Sequence, residues 1–272
     1  MTDCARRLVQ LVRRNDADLA EAALLCAKTV DPDVNITREL LRVDALADAW
    51  RTHGFTDGAP HQSAMDLAAY LGGNQGFIGD TQTYYKPENA LLHRVLDTKR
   101  GLPISLAIVY AAIARRVNIP AFAVHLPGHV VAGIASEPRP VILDPFAGGI
   151  ILDEDELVRR VHDSTAGRIQ FHRAMLRPAP AVNVTRRLLN NLVRDLTGAD
   201  RAADALRAMQ LKLALPNALP EDHRTRGKIL ASIGQYGLAA DAFERYIEMT
   251  GPDAPGRDKA RQAAIQARAR LN

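Results

Sequence analysis

The chain reads as an α+β protein, because helical apolar spacing at both ends brackets one block of short β-rich runs. From Asp3 to about Tyr70 the apolar residues recur every three or four positions, as in Leu8, Leu11 and Val12, then Leu19, Ala23 and Cys26, then Leu40, Leu41 and Leu46. Between Ala121 and Leu143, runs rich in valine and isoleucine are separated by Pro127-Gly128 and by Ser136 to Arg139, intervals that suit antiparallel hairpins. Beyond Pro178 and Pro180 the helical pattern returns. The expected order is a helical N-terminal part, a small antiparallel sheet packed on a central helix, and a helical C-terminal part.

Gly72, Gly73, Gly76 and Gly79 interrupt the N-terminal helical pattern and predict a loop, which Asp80 to Pro87 carries onward. Pro87 to Asp97 places Leu91, Leu92, Val95 and Leu96 on one face, with Pro87 suited to a first helical turn. Gly101 and Pro103 precede Ile104 to Val117, an apolar run whose Arg115 and Arg116 suit the negative pole of a helix; this is the central helix. Ala121 to Leu126, Val130 to Ala135 and Pro140 to Leu143 are the expected strands, and Asp153, Glu154 and Asp155 open another helix with acid at its positive end. The composition shift at Pro178 divides the chain into residues 1–178, with a core at about 81–178, and residues 179–272.

In the second part Gly198, Ala203 and Pro216 recur as Gly234, Ala239 and Pro252, each 36 residues later. Gly227, Gly234, Tyr236, Ala239 and Phe243 fall at the offsets of the small and aromatic positions of a tetratricopeptide repeat, which this section resembles. Small residues let paired helices approach while the aromatic fills the space between them. The first copy departs from that pattern, with Arg207 at the aromatic position.

Size and composition narrow the function classes. A chain of 272 residues with 47% hydrophobic and 24% charged residues can bury a sizeable core. The longest apolar run, Ile104 to Ala114, is too short to cross a bilayer, and Arg6 and Arg7 break the apolar start, so neither a membrane span nor a secretion signal is expected and the location is read as cytoplasmic. Cys4 and Cys26 show neither a disulfide framework nor metal-ligand spacing and are read as free thiols. A formal charge of +4 and a pI near 9.2 permit contact with nucleic acid. An aromatic content of 5% and the lack of a reading motif argue against it, and the basic tail from Arg257 to Asn272 reads as a solvated helix face. His125 and His129 lie roughly 13 Å apart along a strand, too far to share one zinc ion. No metal or cofactor is expected, and Gly72 to Gly76 lacks the lysine of a phosphate loop.

Three strings carry the candidate chemistry: Gly101-Leu-Pro-Ile-Ser-Leu106, Leu126-Pro-Gly-His129 and Ile142-Leu-Asp-Pro145. Their order matches a papain-type or transglutaminase-type site, with a nucleophile in the first turn of a buried helix and its base and orienter on neighbouring strands. Ser105 stands at the nucleophile position, His129 at the base and Asp144 at the orienter. Each has an ordinary explanation as well: a small residue under a close-packed sheet, a turn residue after Pro-Gly, and a turn former before proline. The joint arrangement favours the functional reading. Oxygen in place of sulfur removes thiolate chemistry, since a serine hydroxyl needs concerted proton removal, which a Ser-His-Asp relay can supply.

With Tyr84-Tyr85, Pro87, Asn89, Leu92, Val95-Leu96 and Leu143-Asp-Pro-Phe146 followed by Gly148-Gly149, these strings resemble the SirB-type family. That family pairs a transglutaminase-like core with C-terminal tetratricopeptide-like repeats, and its members are mostly described as regulators. With Ser105 in the position of that fold's cysteine, the first reading is a non-catalytic transglutaminase-like binding or regulatory protein that recognises a protein or peptide partner. Two alternatives stand beside it: a serine-dependent hydrolase or acyl transferase using Ser105, His129 and Asp144, and a helical scaffold touching nucleic acid through its basic tail.

Overall fold

The computed structural model describes residues 2–53 and 58–271. Three capped helices begin the chain: α1 (Asp3–Leu11), α2 (Leu19–Val30) and α3 (Ile36–Thr52). Thr2, Asp18 and Asn35 each accept a hydrogen bond from a first-turn amide, satisfying donors that have no partner inside the helix. A fourth helix, α4 (Pro60–Leu67), starts on Pro60 and runs directly into a π-helical stretch over Ala68–Asn74.

That stretch corrects the loop expected from the glycines at 72 and 73. A Cβ on Gly72 would stand 1.9 Å from the Gly148 carbonyl oxygen, so the glycine serves close backbone approach within a wound segment. The two-residue strands β1 (Ile78–Gly79) and β2 (Arg100–Gly101) pair in parallel. Between them the expected helix from Pro87 is split into a 3₁₀ turn over Pro87–Ala90 and α5 (Leu92–Thr98), with Leu91 in extended conformation at the break.

Helix α6 (Pro103–Arg116) is the centre of the molecule, with every residue from Pro103 to Ala114 buried. Full burial of each branched aliphatic there contributes about 1.5–3 kcal/mol. At its C-terminus Arg116 pairs with Asp18 and Asp44, and Arg115 donates to the Ala17 carbonyl, so the basic end anchors α2 and α3.

The antiparallel sheet runs in the order β3 (Ala121–Leu126), β4 (His129–Ile134), β5 (Val141–Asp144) and β6 (Ile150–Leu152). The last strand has three residues, too few to show an alternating pattern in the sequence. Side chains alternate between two cores. Ala121, Ala123, Val130, Ala132, Ile134 and Leu143 pack with α6, whereas Val124, Leu126, Val131, Ile142 and Leu152 pack with Leu157 and Val161. The latter two belong to α7 (Glu154–Thr165), which opens on an Asp153 capping box.

Five helices complete the chain: α8 (Ala181–Gly198), α9 (Ala202–Ala214), α10 (Pro220–Ser232), α11 (Tyr236–Met249) and α12 (Arg257–Ala269). Helix α9 packs against α2, α8 and α10, and Arg207 donates to the Thr29 carbonyl of α2. Asp222 of α10, buried, binds Arg186 of α8 and Lys212 of α9. Gly227 faces the Phe243 ring, where a Cβ would lie 2.7 Å away, so α10 and α11 pack closely. Arg268 pairs with Asp241 and Glu244, and Arg270 donates to the Tyr236 hydroxyl. Much of the basic tail is therefore engaged with α11. Among the described residues no helix is long and apolar enough to cross a membrane.

Gly72→Ala is expected to destabilise the protein by about 2–3 kcal/mol, because backbone must move to admit the methyl group. Gly73→Ala, with open space around its Cβ, is expected to be neutral or slightly stabilising. Thermal unfolding of the two variants beside the parent measures the difference.

Candidate functional site

Ser105 sits in the first turn of α6, two residues after the Pro103 that opens the helix. Its side chain turns back along the chain. Oγ accepts from the Leu102 amide at 2.9 Å and donates to the Asn89 carbonyl at 2.7 Å, with the Leu102 carbonyl at 3.1 Å as a second acceptor. The residue is 1% exposed. Gly101 is needed here, since a Cβ at that position would stand 2.7 Å from the hydroxyl oxygen.

Asn89 carries the network outward. Its amide donates to Asp80 and to the Thr83 carbonyl, and Asp80 also accepts from the backbone amides of Gln82 and Thr83. Burial acts to raise the Asp80 carboxyl, but the hydrogen bonds from Thr83, Asn89 and Gln82 outweigh it and hold the group below its usual range. Segment 80–89 is thus tied to the opening turn of the central helix.

His129 and Asp144 meet as the strand order suggests. His129 Nε2 lies 3.0 Å from Asp144 Oδ1, and its ring packs edge-on against Phe146, which in turn meets Tyr84. Asp144 is fully buried; Oδ1 also accepts from the Phe146 amide at 3.0 Å, and Oδ2 lies 2.7 Å from Arg160 Nη1. Burial acts to raise the Asp144 carboxyl, yet the hydrogen bond and charge of His129, the charge of Arg160 and the Phe146 amide together hold it below its usual range. Toward an ionised Asp144, Nε2 is the donor of this contact.

The structure therefore joins His129 to Asp144, while the hydrogen bonds of Ser105 run to the backbone of Asn89 and Leu102. Arg160 escapes sequence reasoning because an arginine on an amphipathic helix looks like solvated surface; nothing local marks its reach to Asp144. Tyr110 is a second such residue. Its hydroxyl is buried without a hydrogen-bond partner, and burial, reinforced by the Asp144 charge, pushes its ionisation upward, so it stays neutral. Cys4 and Cys26 are both unpaired, and burial pushes both thiols up, away from thiolate character. Among the described residues no group of three or more histidine, cysteine, aspartate or glutamate side chains is arranged to hold a metal ion.

Asp144→Asn is expected to cost about 3 kcal/mol at neutral pH by leaving Arg160 without its buried partner. Because the folded-state carboxyl is held low, its contribution is present above an unfolded value of about 3.9 and is lost as pH falls through the folded value. Urea unfolding should accordingly show parent and variant converging at the acid end.

Residues 38–190 match the transglutaminase-like superfamily. A UPF0162 protein of Xylella fastidiosa is 33% identical over 234 residues, covering 85% of this chain and 83% of its own. Another from Pseudomonas aeruginosa is 30% identical, covering 76% of each, and protein SirB1 of Salmonella typhimurium is 25% identical, covering 88% of this chain and 89% of its own. Among solved structures, a crystal structure of menin aligns with 97% of this chain and 73% of its own at 10% identity and a TM-score of 0.44, a likeness that carries no argument here. The family match over residues 38–190 and the UPF0162 relatives lead to one conclusion: the chain belongs to the transglutaminase-like superfamily and, within it, to the SirB-type UPF0162 family.

Proposed function

We propose that this protein is a non-catalytic transglutaminase-like binding or regulatory protein that recognises a protein or peptide partner. The observation that carries the reading is the state of Ser105: a buried hydroxyl whose donor and acceptor capacity are both committed to backbone groups. A nucleophile needs an approach path for the substrate and a base for its proton. Here the same oxygen closes the first turn of α6 instead, a structural task that turnover would interrupt. In this reading the chain divides into a transglutaminase-like part at 1–178 and tetratricopeptide-like helices at 179–272, and it works in the cytoplasm, where two unpaired thiols suit a reducing compartment.

A second reading, a serine-dependent hydrolase or acyl transferase, is favoured by the retained His129 and Asp144 pair. It requires Ser105 to release the Asn89 carbonyl and the Leu102 amide and to turn toward an imidazole nitrogen. Such a rearrangement gives up two buried hydrogen bonds, at about 1 kcal/mol each, while the Leu102 amide and the Asn89 carbonyl stay joined to each other at 3.2 Å.

A fluorophosphonate probe is expected to leave Ser105 unlabelled, and purified protein is expected to turn over neither acyl nor amide substrates. Ser105→Ala should lower stability by about 1–2 kcal/mol through the lost hydroxyl hydrogen bonds, with the Leu102 amide keeping its 3.2 Å bond to the Asn89 carbonyl. Turnover that Ser105→Ala abolishes would reverse the assignment in favour of the hydrolase.

A further inference from the structure

A cleft of about 380 Å³ between β3 and α8 is lined by His125, Asn183, Arg186, Arg187, Asn190 and Asn191. Each of these side chains carries an N–H donor and none carries a carboxylate. The helical residues recur at spacings of three and four and so share one face of α8.

The charges around the cleft are unevenly matched. Arg186 pairs with Asp222, which it shares with Lys212. Arg194, further along α8, pairs with Asp195 and lies over the Tyr85 ring. Arg187 has no such partner: it donates to the Leu126 carbonyl at 3.2 Å, and among the described residues no carboxylate pairs with it. Burial lowers its proton affinity, and the group that opposes this is the Tyr84 phenol, itself kept neutral by burial. His125 Nε2 is buried without a hydrogen-bond partner. Burial and the Arg187 charge push this imidazole down to about 4, so it is neutral at physiological pH. A guanidinium drawn out of water without an anion is costly, and an orphaned ring nitrogen beside it adds to that cost.

We propose that this cleft binds a phosphate group, carried by a phosphorylated small molecule or by a phosphorylated peptide side chain, with Arg187 supplying the fork and His125 and the asparagine amides the remaining donors. Phosphate fits better than carboxylate because three strong acceptor oxygens match a wall made of donors. His125 pairs with Val130 and so belongs to the strand parity opposite to that of His129. The proposal holds whether or not Ser105 is catalytic.

Titrating inorganic phosphate into the full chain, while following the His125 imidazole and the asparagine side-chain amides by NMR, tests it. Saturable shifts at millimolar phosphate are expected, weakened about tenfold or more by Arg187→Gln, as for loss of a hydrogen bond to a charged group. Asn190→Asp, at an exposed position, should weaken binding by repulsion while leaving the fold intact, which keeps the test open if Arg187→Gln fails to fold. A sugar phosphate that binds more tightly than a phosphoserine peptide assigns the small molecule, and the reverse order assigns a modified protein. Shifts that fail to saturate, that acetate reproduces at equal strength, or that persist unchanged in the variants would overturn the proposal.

Discussion

The opening turn of α6 carries a constraint that the surrounding structure inherits. Every residue from Pro103 to Ala114 is buried, so the polar groups at the start of this helix cannot turn to water. Pro103 removes one orphan amide, and Ser105 returns to satisfy the Leu102 amide while giving its proton to Asn89. Asn89 in turn holds Asp80 and the Thr83 carbonyl. The hydroxyl therefore reinforces the direct bond from the Leu102 amide to the Asn89 carbonyl at 3.2 Å in linking the helix start to the chain that leads into it, and Gly101 leaves the room it needs.

Asp144 is the complementary centre of charge. A fully buried carboxylate is tolerable only with several partners, and this one has His129, Arg160 and the Phe146 amide. Its position at the end of β5 draws together the hairpin, the turn that follows the strand and α7. The cleft on α8 has the opposite imbalance, a guanidinium without its anion. One site is internally neutralised and suited to holding structure, whereas the other is completed by something from outside the chain.

The C-terminal helices are bound to the rest through α9 and α8. Arg207 of α9 is one such tie, its guanidinium reaching the Thr29 carbonyl of α2. Asp222, shared by Arg186 and Lys212, ties α8, α9 and α10 in the same region.

The amino-acid sequence by itself determined the elements whose signals are local. Helical spacing, capping residues and the valine-rich runs marked α6 and strands β3 to β5 nearly to the residue and put His129 and Asp144 on neighbouring strands, while the register that lets the two meet, with Ala132 opposite Leu143, belongs to the fold. Tertiary structure decided what local pattern cannot encode. The π-helical segment at residues 68–74 brings Gly72 close against Gly148, a contact between segments far apart in the chain. The direction of the Ser105 hydroxyl was settled by the Asn89 carbonyl, Arg160 found its carboxylate across the fold, and Arg187 came to lie beside His125. Side-chain partners separated by many residues are chosen by packing and charge compensation in three dimensions, and neither leaves a periodic trace in one.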